Sequence, residues 1–353
     1  MNIIVLCGGL SPERDVSIST GTKVVTALRK HNHNAILVDL FYGYTLPYNQ
    51  PEDIFTSVQQ SEAFVIQEDI PDLEDLKMIR KKNKGRRIGE NVFEICKVAD
   101  IVFLALHGDD GEDGKIQAAF DLHGIKYTGT GMLGSAVSMN KEIAKKLLSQ
   151  NGIHTPEGFT IHKNDTNYKN PIFPCVVKPT NGGSSIGVSI VQDPSSFHQA
   201  LEEVFFHEDS AIVEQFIKGR ELSVGILAGK ALPAIEICPK SGFYDYKNKY
   251  QEDLTDEYCP ADLPSETTAK LQETAIQVFN TLTLLVYGRI DFILDESGKI
   301  WCLEGNTLPG LTPTSLFPQE ASAAGITYEA LCEMIIAESL KKYSKEMIDT
   351  PII

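Results

Sequence analysis

Short apolar runs alternate with an amphipathic stretch over the first part of the chain. Residues 3–7 and 101–106 are continuous apolar runs, residues 35–40 are apolar except for Asp39, and residues 17–30 form a helical stretch between the first and second of these segments. Runs of this length and composition are typical of strands that are buried on both faces. The order strand, turn, helix, strand therefore predicts an N-terminal α/β domain with a parallel sheet.

The pattern changes after a predicted helix at residues 139–150, whose end is marked by Gly152. Shorter apolar segments, separated by turns, then predict strands at residues 174–178, 187–191, 211–216 and 221–227. Hairpin turns are predicted near Gly229-Lys230 and at residues 296–299, and helices at residues 266–284 and 328–342. Consecutive strands joined by tight turns indicate antiparallel sheet, so this part of the chain is predicted to be α+β.

Residues 41–91 fit neither pattern. They are rich in charge and include the basic run RKKNKGRR at residues 80–87. A long charged segment within a compact domain is typical of a surface excursion. We interpret the basic run as a solvated face of that excursion.

Composition excludes several classes of protein. The chain has 353 residues and a formal net charge of −16, which argues against nucleic acid as the main partner. We expect no signal peptide and no membrane span, because the first residues lack a basic start and no apolar run reaches the roughly 18 residues that a span needs. The seven cysteines include no CxxC pair, so we expect reduced thiols in a cytosolic protein and no zinc site.

One glycine motif resembles a dinucleotide site. Gly129, Gly131 and Gly134 match GxGxxG. Such a site also needs an acidic residue about 20 residues later, at the end of the next strand. The chain has a predicted helix there, after Lys141, so we interpret the motif as a turn between domains. This argues against a nicotinamide oxidoreductase.

A second glycine-rich stretch, GGSSIG at residues 182–187, lies between two predicted strands and is therefore a hairpin loop. Backbone N–H groups and hydroxyls in such a loop can bind phosphate oxygens. Lys178 lies just before the loop, where its ammonium group can reach the same phosphates. From this stretch alone, a flexible hairpin without a ligand is an equally good interpretation.

The predicted turn at residues 296–299 brings two acidic side chains together. If Asp295 pairs with Ile300 across the turn, Asp291 lies opposite Glu304. Two carboxylates ~4 Å apart repel by roughly 4 kcal/mol at an effective dielectric near 20, and a bound cation relieves that repulsion.

Neighbouring polar side chains extend this cluster. Because side chains alternate along a strand, Arg289 shares a face with Asp291, and Asn306 shares a face with Glu304. Two carboxylates and an amide oxygen are ligands that favour Mg²⁺ or Mn²⁺. The alternative is a structural salt bridge between Asp291 and Arg289.

The oxygen cluster, together with a glycine-rich hairpin and its lysine, is typical of the ATP-grasp fold. Six further motifs resemble the D-alanine–D-alanine ligase family, in the family's order and over nearly the whole chain. They are GGLSPERDVS (8–17), LHGDDGEDG (106–114), SMNK (138–141), FYDYKNKY (243–250), CPA (259–261) and NTLPGLTPTSL (306–316). The departures are Asn140, Gly305 and the excursion at residues 41–91.

The resemblance implies three domains: residues 1–136, which bind the first D-alanine; residues 137–219, with the phosphate loop; and residues 220–353, with the metals and the second D-alanine. ATP would lie between the last two domains as a co-substrate. The implied ATP-binding residues are Lys141, Lys178, Ser185, Glu214, Phe216, Glu221 and Leu303. Glu214 would accept the adenine amino group, Glu221 the ribose hydroxyls, and Phe216 would pack on the base. Two Mg²⁺ or Mn²⁺ ions would be bound by Asp291, Glu304 and Asn306.

The resemblance also implies a reaction, the synthesis of D-alanyl-D-alanine through a D-alanyl phosphate, for peptidoglycan precursors. Residues with implied catalytic roles are Glu13, His107, Ser184, Lys249, Tyr250, Arg289 and Gly310. Ser315 and the backbone N–H of Leu316 would hold the second D-alanine. A mobile loop at residues 240–260 would close the site through Tyr250, Ser184 and Glu13. A homodimer is expected from the family alone.

The second substrate is the main alternative. Family members that make D-alanyl-D-lactate carry histidine where this chain has Tyr250, and a histidine can become cationic near neutral pH and repel an ammonium. Tyr250 therefore favours D-alanine, with D-serine or D-lactate as alternatives. Because the metal ligands, both phosphate lysines and Arg289 are all present, a nucleotide-binding protein without turnover is disfavoured.

Overall fold

A computed structural model of the chain describes residues 1–44, 50–56, 73–82, 85–183, 185–242, 244, 248–249 and 254–349. Two predicted catalytic residues, Ser184 and Tyr250, lie outside these ranges. So do Asn83 and Lys84 of the basic run.

The N-terminal part contains the predicted parallel sheet. Its elements are β1 (Asn2–Cys7), α1 (Arg14–Lys30), β2 (Asn34–Asp39) and β3 (Ile101–Leu104). The strands pair in parallel in the order β2-β1-β3. Every side chain of β3 is buried, which confirms that this run is a strand covered on both faces.

The excursion carries short elements: a 3₁₀ helix (Pro51–Thr56), α2 (Glu74–Lys82) and α3 (Val92–Lys97). Its basic run is not wholly a solvated face. Arg87 forms an ion pair with Asp110, whose side chain is buried. This contact ties the excursion to the LHGDDGEDG motif.

Four helices lead out of the N-terminal sheet: α4 (Asp109–Glu112), α5 (Lys115–His123), α6 (Met132–Met139) and α7 (Lys141–Gln150). The predicted helix at residues 139–150 is therefore α7, and Gly152 follows it with a positive φ. The GxGxxG motif leads into α6. There Gly129 donates its N–H to Ser339, and Thr130 contacts Leu285 through its hydroxyl. The motif is thus a turn that contacts the C-terminal part of the chain.

A four-stranded antiparallel sheet follows. Its elements are β4 (Gly158–His162), β5 (Cys175–Pro179), β6 (Ser189–Val191), α8 (Pro194–His207) and β7 (Ser210–Gln215). The strand order is β4-β7-β5-β6. Because β5 pairs antiparallel with β6, the GGSSIG stretch is the predicted hairpin loop.

A larger antiparallel sheet forms the remainder of the structure. Its strands are β8 (Gly219–Leu227), β9 (Lys230–Ala231), β10 (Ile235–Pro239), β11 (Thr255–Tyr258), β12 (Tyr287–Asp295) and β13 (Ile300–Asn306). The helices are α9 (Ser265–Thr281), α10 (Leu316–Ala323) and α11 (Tyr328–Asp349). The main strand order is β11-β10-β8-β12-β13, and β9 pairs with β8. Both predicted hairpin turns, β8–β9 and β12–β13, are present.

The β12–β13 hairpin contains a bulge that the sequence did not predict. Leu294, not Asp295, pairs with Ile300, so the predicted register at the turn is wrong by one residue. The register shifts between Asp291 and Phe292, and Asp291 then lies opposite Glu304 as predicted. Such a shift is caused by a β-bulge, in which one strand contains an extra residue. The bulge restores the pairing on which the carboxylate cluster depends.

The cores of the described regions do not follow chain order. The N-terminal sheet shares one hydrophobic cluster with residues of α11, including Leu331 and Ile335. A second cluster joins α7 and α9 to the large sheet, and a third lies between α8 and the four-stranded sheet. All seven cysteines carry free thiols. None of the described helices is long and apolar enough to cross a membrane.

Candidate active site

Most predicted site residues line two adjoining cavities. The first, here called the lysine cavity, has a volume of about 200 Å³. It contains every residue that was predicted to bind ATP: Lys141, Lys178, Ser185, Glu214, Phe216, Glu221 and Leu303. Lys249, Asp291 and Glu304 line the same cavity. Strands of both antiparallel sheets therefore supply one site.

The second cavity, here called the arginine cavity, has a volume of about 120 Å³. Its predicted residues are Glu13, His107, Lys249, Arg289, Asn306, Gly310, Ser315 and Leu316. Lys249 lines both cavities, and a smaller space lined by Glu13, Lys141 and Glu304 lies beside them. A larger cavity of about 590 Å³ contains only Glu214 of the predicted residues, so it is not the candidate site.

Cations surround the carboxylates of the lysine cavity. Lys178 Nζ lies 2.9 Å from one oxygen of the buried Glu214, and Lys145 Nζ lies 2.8 Å from the other. Burial favours the neutral acid, but the two ammonium groups outweigh it and lower the pKa of Glu214. Glu214 is therefore an ionised hydrogen-bond acceptor inside the cavity.

The alternative salt bridge between Arg289 and Asp291 is present. Arg289 donates from Nε and Nη2 to the two oxygens of Asp291, at 2.9 and 2.8 Å. Ser223 Oγ donates to Asp291 Oδ1 at 2.8 Å. Burial opposes charge on the aspartate, but Arg289 and Ser223 overcome it and lower the pKa of Asp291. The same ion pair raises the pKa of Arg289 in spite of its burial.

The predicted metal ligands lie together, and their chemistry fits a hard divalent cation. Asn306 donates its Nδ2 to Asp291 Oδ2 at 2.9 Å, and Lys141 Nζ lies 3.6 Å from Glu304 Oε2. Rotation of the Asn306 amide would present Oδ1 beside the carboxylates. Within the described ranges, no three His, Cys, Asp or Glu side chains cluster as metal ligands.

A further carboxyl in the lysine cavity has an altered proton affinity. Glu221 on β8 is mostly buried, and this burial, together with the nearby charge of Asp291, raises the pKa of Glu221 to about 7. Lys249 and Arg289 only partly oppose the shift. The group can therefore hold a proton near neutral pH.

His107 is held at both ring nitrogens. Nδ1 lies 3.0 Å from the carbonyl oxygen of Leu308, and Nε2 lies 3.1 Å from Thr20 Oγ1. A carbonyl can only accept, so Nδ1 carries the proton and Nε2 accepts from Thr20. Burial lowers the pKa of His107, which keeps the ring neutral. The histidine thus connects the end of β3 to the NTLPGLTPTSL loop.

The far wall of the arginine cavity is the start of α10. Ser315 is the N-cap residue of this helix, so the backbone N–H of Leu316 is among the first groups of the helix. Ser315 Oγ lies 2.7 Å from Thr312 Oγ1. The beginning of a helix, with its unpaired N–H groups, is a favourable place for a carboxylate.

The glycine-rich loop approaches the N-terminal part of the chain closely. A Cβ atom at Gly183 would lie 2.8 Å from Glu13 Oε2. A larger residue here would displace either the loop or the glutamate. The predicted contact between Ser184 and Glu13, and the one between Tyr250 and Ser184, fall outside the described residues.

Sequence reasoning missed several residues that line or support the cavities. Glu112, Tyr244 and Glu257 line the arginine cavity. Ser223 supports Asp291, and Lys145 supports Glu214. Sequence spacing could have predicted two of them. Ser223 shares a strand face with Glu221, and Lys145 lies one helical turn after Lys141.

Comparison with protein families shows agreement over almost the whole chain. The family model described as "D-ala D-ala ligase N-terminus" matches residues 2–130. The model described as "D-ala D-ala ligase C-terminus" matches residues 147–337. Together the two matches contain every candidate site residue except Lys141.

Individual relatives agree over their full length. The chain is 44% identical over 357 residues to a D-alanine–D-alanine ligase of Lacticaseibacillus casei, covering 100% of this chain and 99% of the relative. It is 43% identical to that of Pediococcus pentosaceus, covering 98% and 99%. A crystal structure of the Bacillus anthracis enzyme complexed with ATP is 32% identical, with a TM-score of 0.74, covering 98% and 99%.

Proposed function

The chain belongs to the D-alanine–D-alanine ligase family, and from this membership we propose that it joins two D-alanine molecules in a reaction that consumes ATP. The observation that carries the proposal is the meeting of the lysine and arginine cavities at Lys249. One cavity offers cations and acceptors suited to a nucleotide. The other offers groups suited to two small zwitterions.

The lysine cavity would bind ATP. Lys141 and Lys178 would hold the α- and β-phosphates, and Lys249 the γ-phosphate, because ammonium groups neutralise phosphate charge. Glu214 would accept a hydrogen bond from the adenine amino group, and Glu221 would bind the ribose hydroxyls. Phe216 and Leu303 would pack on the base, and Ser185 would contact a phosphate.

A divalent cation would be held by Asp291 and Glu304, which line the lysine cavity, and by Asn306, which lines the arginine cavity. When bound, Mg²⁺ or Mn²⁺ supplies charge neutralisation for the phosphates. We propose two ions per site, as in the family. Arg289 and Lys141, which lie beside Asp291 and Glu304, would neutralise the same carboxylates together with the metal.

The first D-alanine would be activated in the arginine cavity. Glu13 would hold its ammonium, with His107 near its carboxylate. A carboxylate oxygen attacks the γ-phosphorus, ADP leaves, and a D-alanyl phosphate forms. The main contribution of the protein is positioning and charge neutralisation.

The second D-alanine would then attack the acyl phosphate. Ser315 and the N–H of Leu316 would hold its carboxylate, while its amine, after losing a proton, adds to the carbonyl carbon. Arg289 and the N–H of Gly310 would stabilise the tetrahedral oxyanion. Collapse expels inorganic phosphate and leaves the peptide bond.

The acyl phosphate must be protected from water, so the site has to close. We propose that the loop between β10 and β11 closes it, with Tyr250 bound to Ser184. The ends of this loop are joined by the N–H of Lys240 and the carbonyl of Leu254, at 3.0 Å. The domain boundaries at 136/137 and 219/220, and the homodimer, stay predictions.

Phosphate release and product analysis with D-alanine, D-serine, D-lactate and L-alanine, compared side by side, test the function. We expect D-alanine to support turnover and dipeptide formation to rise from about pH 6 to about pH 9, because the attacking amine must be neutral. L-Alanine is the stereochemical control. Depsipeptide formation from D-lactate near pH 6 would favour the alternative second substrate, and no phosphate release with any acid would indicate a protein without turnover.

A further inference from the structure

Glu214 lies between two lysines that differ in what else they contact. Lys178 lines the lysine cavity, where phosphates are proposed to bind. Lys145 does not line that cavity; it reaches Glu214 from α7, on the side of the larger cavity behind it. Glu214 itself lines both cavities. The Lys145–Glu214 pair therefore separates the two cavities, and Lys145 contacts Glu214 from the side that faces away from the proposed nucleotide site.

Lys145 is fixed by more than its ion pair. Its Nζ also donates to Thr155 Oγ1 at 2.8 Å and to the carbonyl oxygen of Pro156. Two hydrogen bonds and one ion pair therefore hold the ammonium group in place. Only 11% of the side chain is exposed. The next residue, Lys146, is 71% exposed and pairs only with Glu142 on the same helix among the described ion pairs.

Binding of nucleotide would change the contacts of these two lysines. If Lys178 turns toward a phosphate, its contact with Glu214 weakens. Lys145 then becomes the main cation that holds the Glu214 carboxylate in place. Because Lys145 lies outside the lysine cavity and is held by Thr155 and Pro156, we expect its contact with Glu214 to persist when nucleotide binds.

The state of Glu214 matters for the choice of base. An ionised carboxylate only accepts hydrogen bonds, so it favours an amino group at position 6 of a purine. A carbonyl oxygen at the same position, as in inosine, faces the carboxylate with no proton between them. Leaving polar groups unpaired in a buried site is the strongest source of discrimination between similar ligands.

We propose that Lys145 is a positioning residue that holds the Glu214 carboxylate as an acceptor and thereby sets the preference for ATP over nucleotides that carry a 6-oxo group. This inference rests on the proposed function, because it assumes that the adenine amino group meets Glu214. It assigns a role in nucleotide selectivity to a residue that does not touch the nucleotide.

The test compares ATP and ITP in D-alanine-dependent phosphate release for the full-length protein and its Lys145→Met, Lys145→Arg and Lys146→Met variants. For Lys145→Met we expect the KM for ATP to rise about tenfold, as for loss of support to one charged hydrogen bond. The KM for ITP should change less than about twofold, and kcat with saturating ATP should stay within about twofold. Lys145→Arg should recover most of the ATP preference, and Lys146→Met should match the unsubstituted protein.

Several outcomes would overturn the proposal. Equal increases in KM for ATP and ITP would mean that Lys145 has only a structural role, and so would a similar change in Lys146→Met. A loss of kcat at unchanged KM would place Lys145 in the chemical step instead. If Lys145→Met does not fold, Thr155→Val removes one acceptor of Lys145 and should shift the ATP-to-ITP ratio in the same direction by a smaller factor; an unchanged ratio there contradicts the proposal.

A separate variant distinguishes failure of the inference from failure of the function. Absence of turnover in the unsubstituted protein would remove the proposed function itself. Turnover with an ATP-to-ITP ratio that Glu214→Gln leaves unchanged would remove the role of Glu214. A ratio that depends on Glu214 but not on Lys145 would contradict this inference alone.

Discussion

At the scale of single residues, the candidate site depends on a balance between buried carboxylates and cations. Asp291 and Glu214 are each paired with basic side chains inside the protein. Removing one partner of a buried pair is costly because the other charge remains unpaired. Substitutions that keep the shape of a side chain and remove only its charge are therefore the most informative.

The Glu304→Gln variant tests the metal site. We expect D-alanine-dependent phosphate release to fall by at least ~100-fold, because an amide is a much weaker ligand for Mg²⁺ than a carboxylate. The thermal unfolding midpoint should change little. Glu296→Gln, at an exposed ion pair on the turn of the same hairpin, is the matched control. Full activity of Glu304→Gln, or full activity in excess chelator, would refute the assignment.

The Glu221→Gln variant tests the unusual proton affinity in the lysine cavity. Because the pKa of Glu221 is raised from 4.5 to about 7, the folded protein keeps a proton that the unfolded chain releases between these values. The contribution of Glu221 to stability is therefore present below about pH 4.5 and is lost as pH rises through about 7.

Urea unfolding at pH 5 and pH 8 measures this effect. The quantity to compare is the free energy of unfolding of Glu221→Gln minus that of the unsubstituted protein. This difference should be larger at pH 8 than at pH 5, by an amount on the order of 3 kcal/mol. Comparing the two proteins cancels other titrating groups, such as Glu112, whose pKa burial raises to about 8. Parallel pH profiles would show that Glu221 titrates normally.

At the scale of elements, α7 connects the site to the rest of the molecule. Its N-cap Asn140 accepts a hydrogen bond from the N–H of Ile143, and its amide contacts Asn181 beside the glycine-rich loop. Lys141 is the first residue of the helix and donates to the carbonyl of Gly182 at 2.6 Å. The cap therefore positions Lys141, which we propose binds phosphate.

The Asn140→Ala variant should lower the free energy of unfolding by about 1 kcal/mol through loss of the cap. Because Lys141 follows directly, we also expect the KM for ATP to rise several-fold with little change in kcat. Asn140→Asp keeps the acceptor and is the control, since an acidic side chain suits a helix N-terminus. An Asn140→Ala variant with unchanged stability and unchanged KM would show that the cap does not matter.

At the scale of the whole molecule, the first and last parts of the chain form one core. Leu331, Cys332 and Ile335 of α11 are fully buried in the cluster that contains the N-terminal sheet. Lys30 of α1 and Glu329 of α11 also form an ion pair at 2.9 Å. The predicted domain of residues 1–136 therefore lacks part of its own core when it is cut at that boundary.

We expect a fragment of residues 1–136 to lack cooperative thermal unfolding, because it exposes the apolar surface that α11 covers. Circular dichroism and the dispersion of its amide NMR spectrum measure this directly. The full-length chain, which should unfold cooperatively, is the control. A sharp unfolding transition in the isolated fragment would show that its core is sufficient.

The sequence alone determined much of this protein. Apolar runs and turn residues were enough to predict the parallel sheet, both hairpins and the glycine-rich loop, because these features depend on local patterns. The motifs were enough to predict the family, and the described residues predicted for the site line the two cavities. Motifs can predict a family because their residues keep their order and spacing along the chain, whereas the roles of the single site residues stay predictions.

Tertiary structure alone decided the rest. The bulge that places Asp291 opposite Glu304, the packing of α11 on the N-terminal sheet and the Arg87–Asp110 ion pair all join residues far from one another or shift a local register. The support of Glu214 by Lys145 is of the same kind, because it joins a helix to a strand almost 70 positions later. Such contacts depend on how whole elements pack against one another. The sequence pattern of one element does not show which residues of another element will contact it.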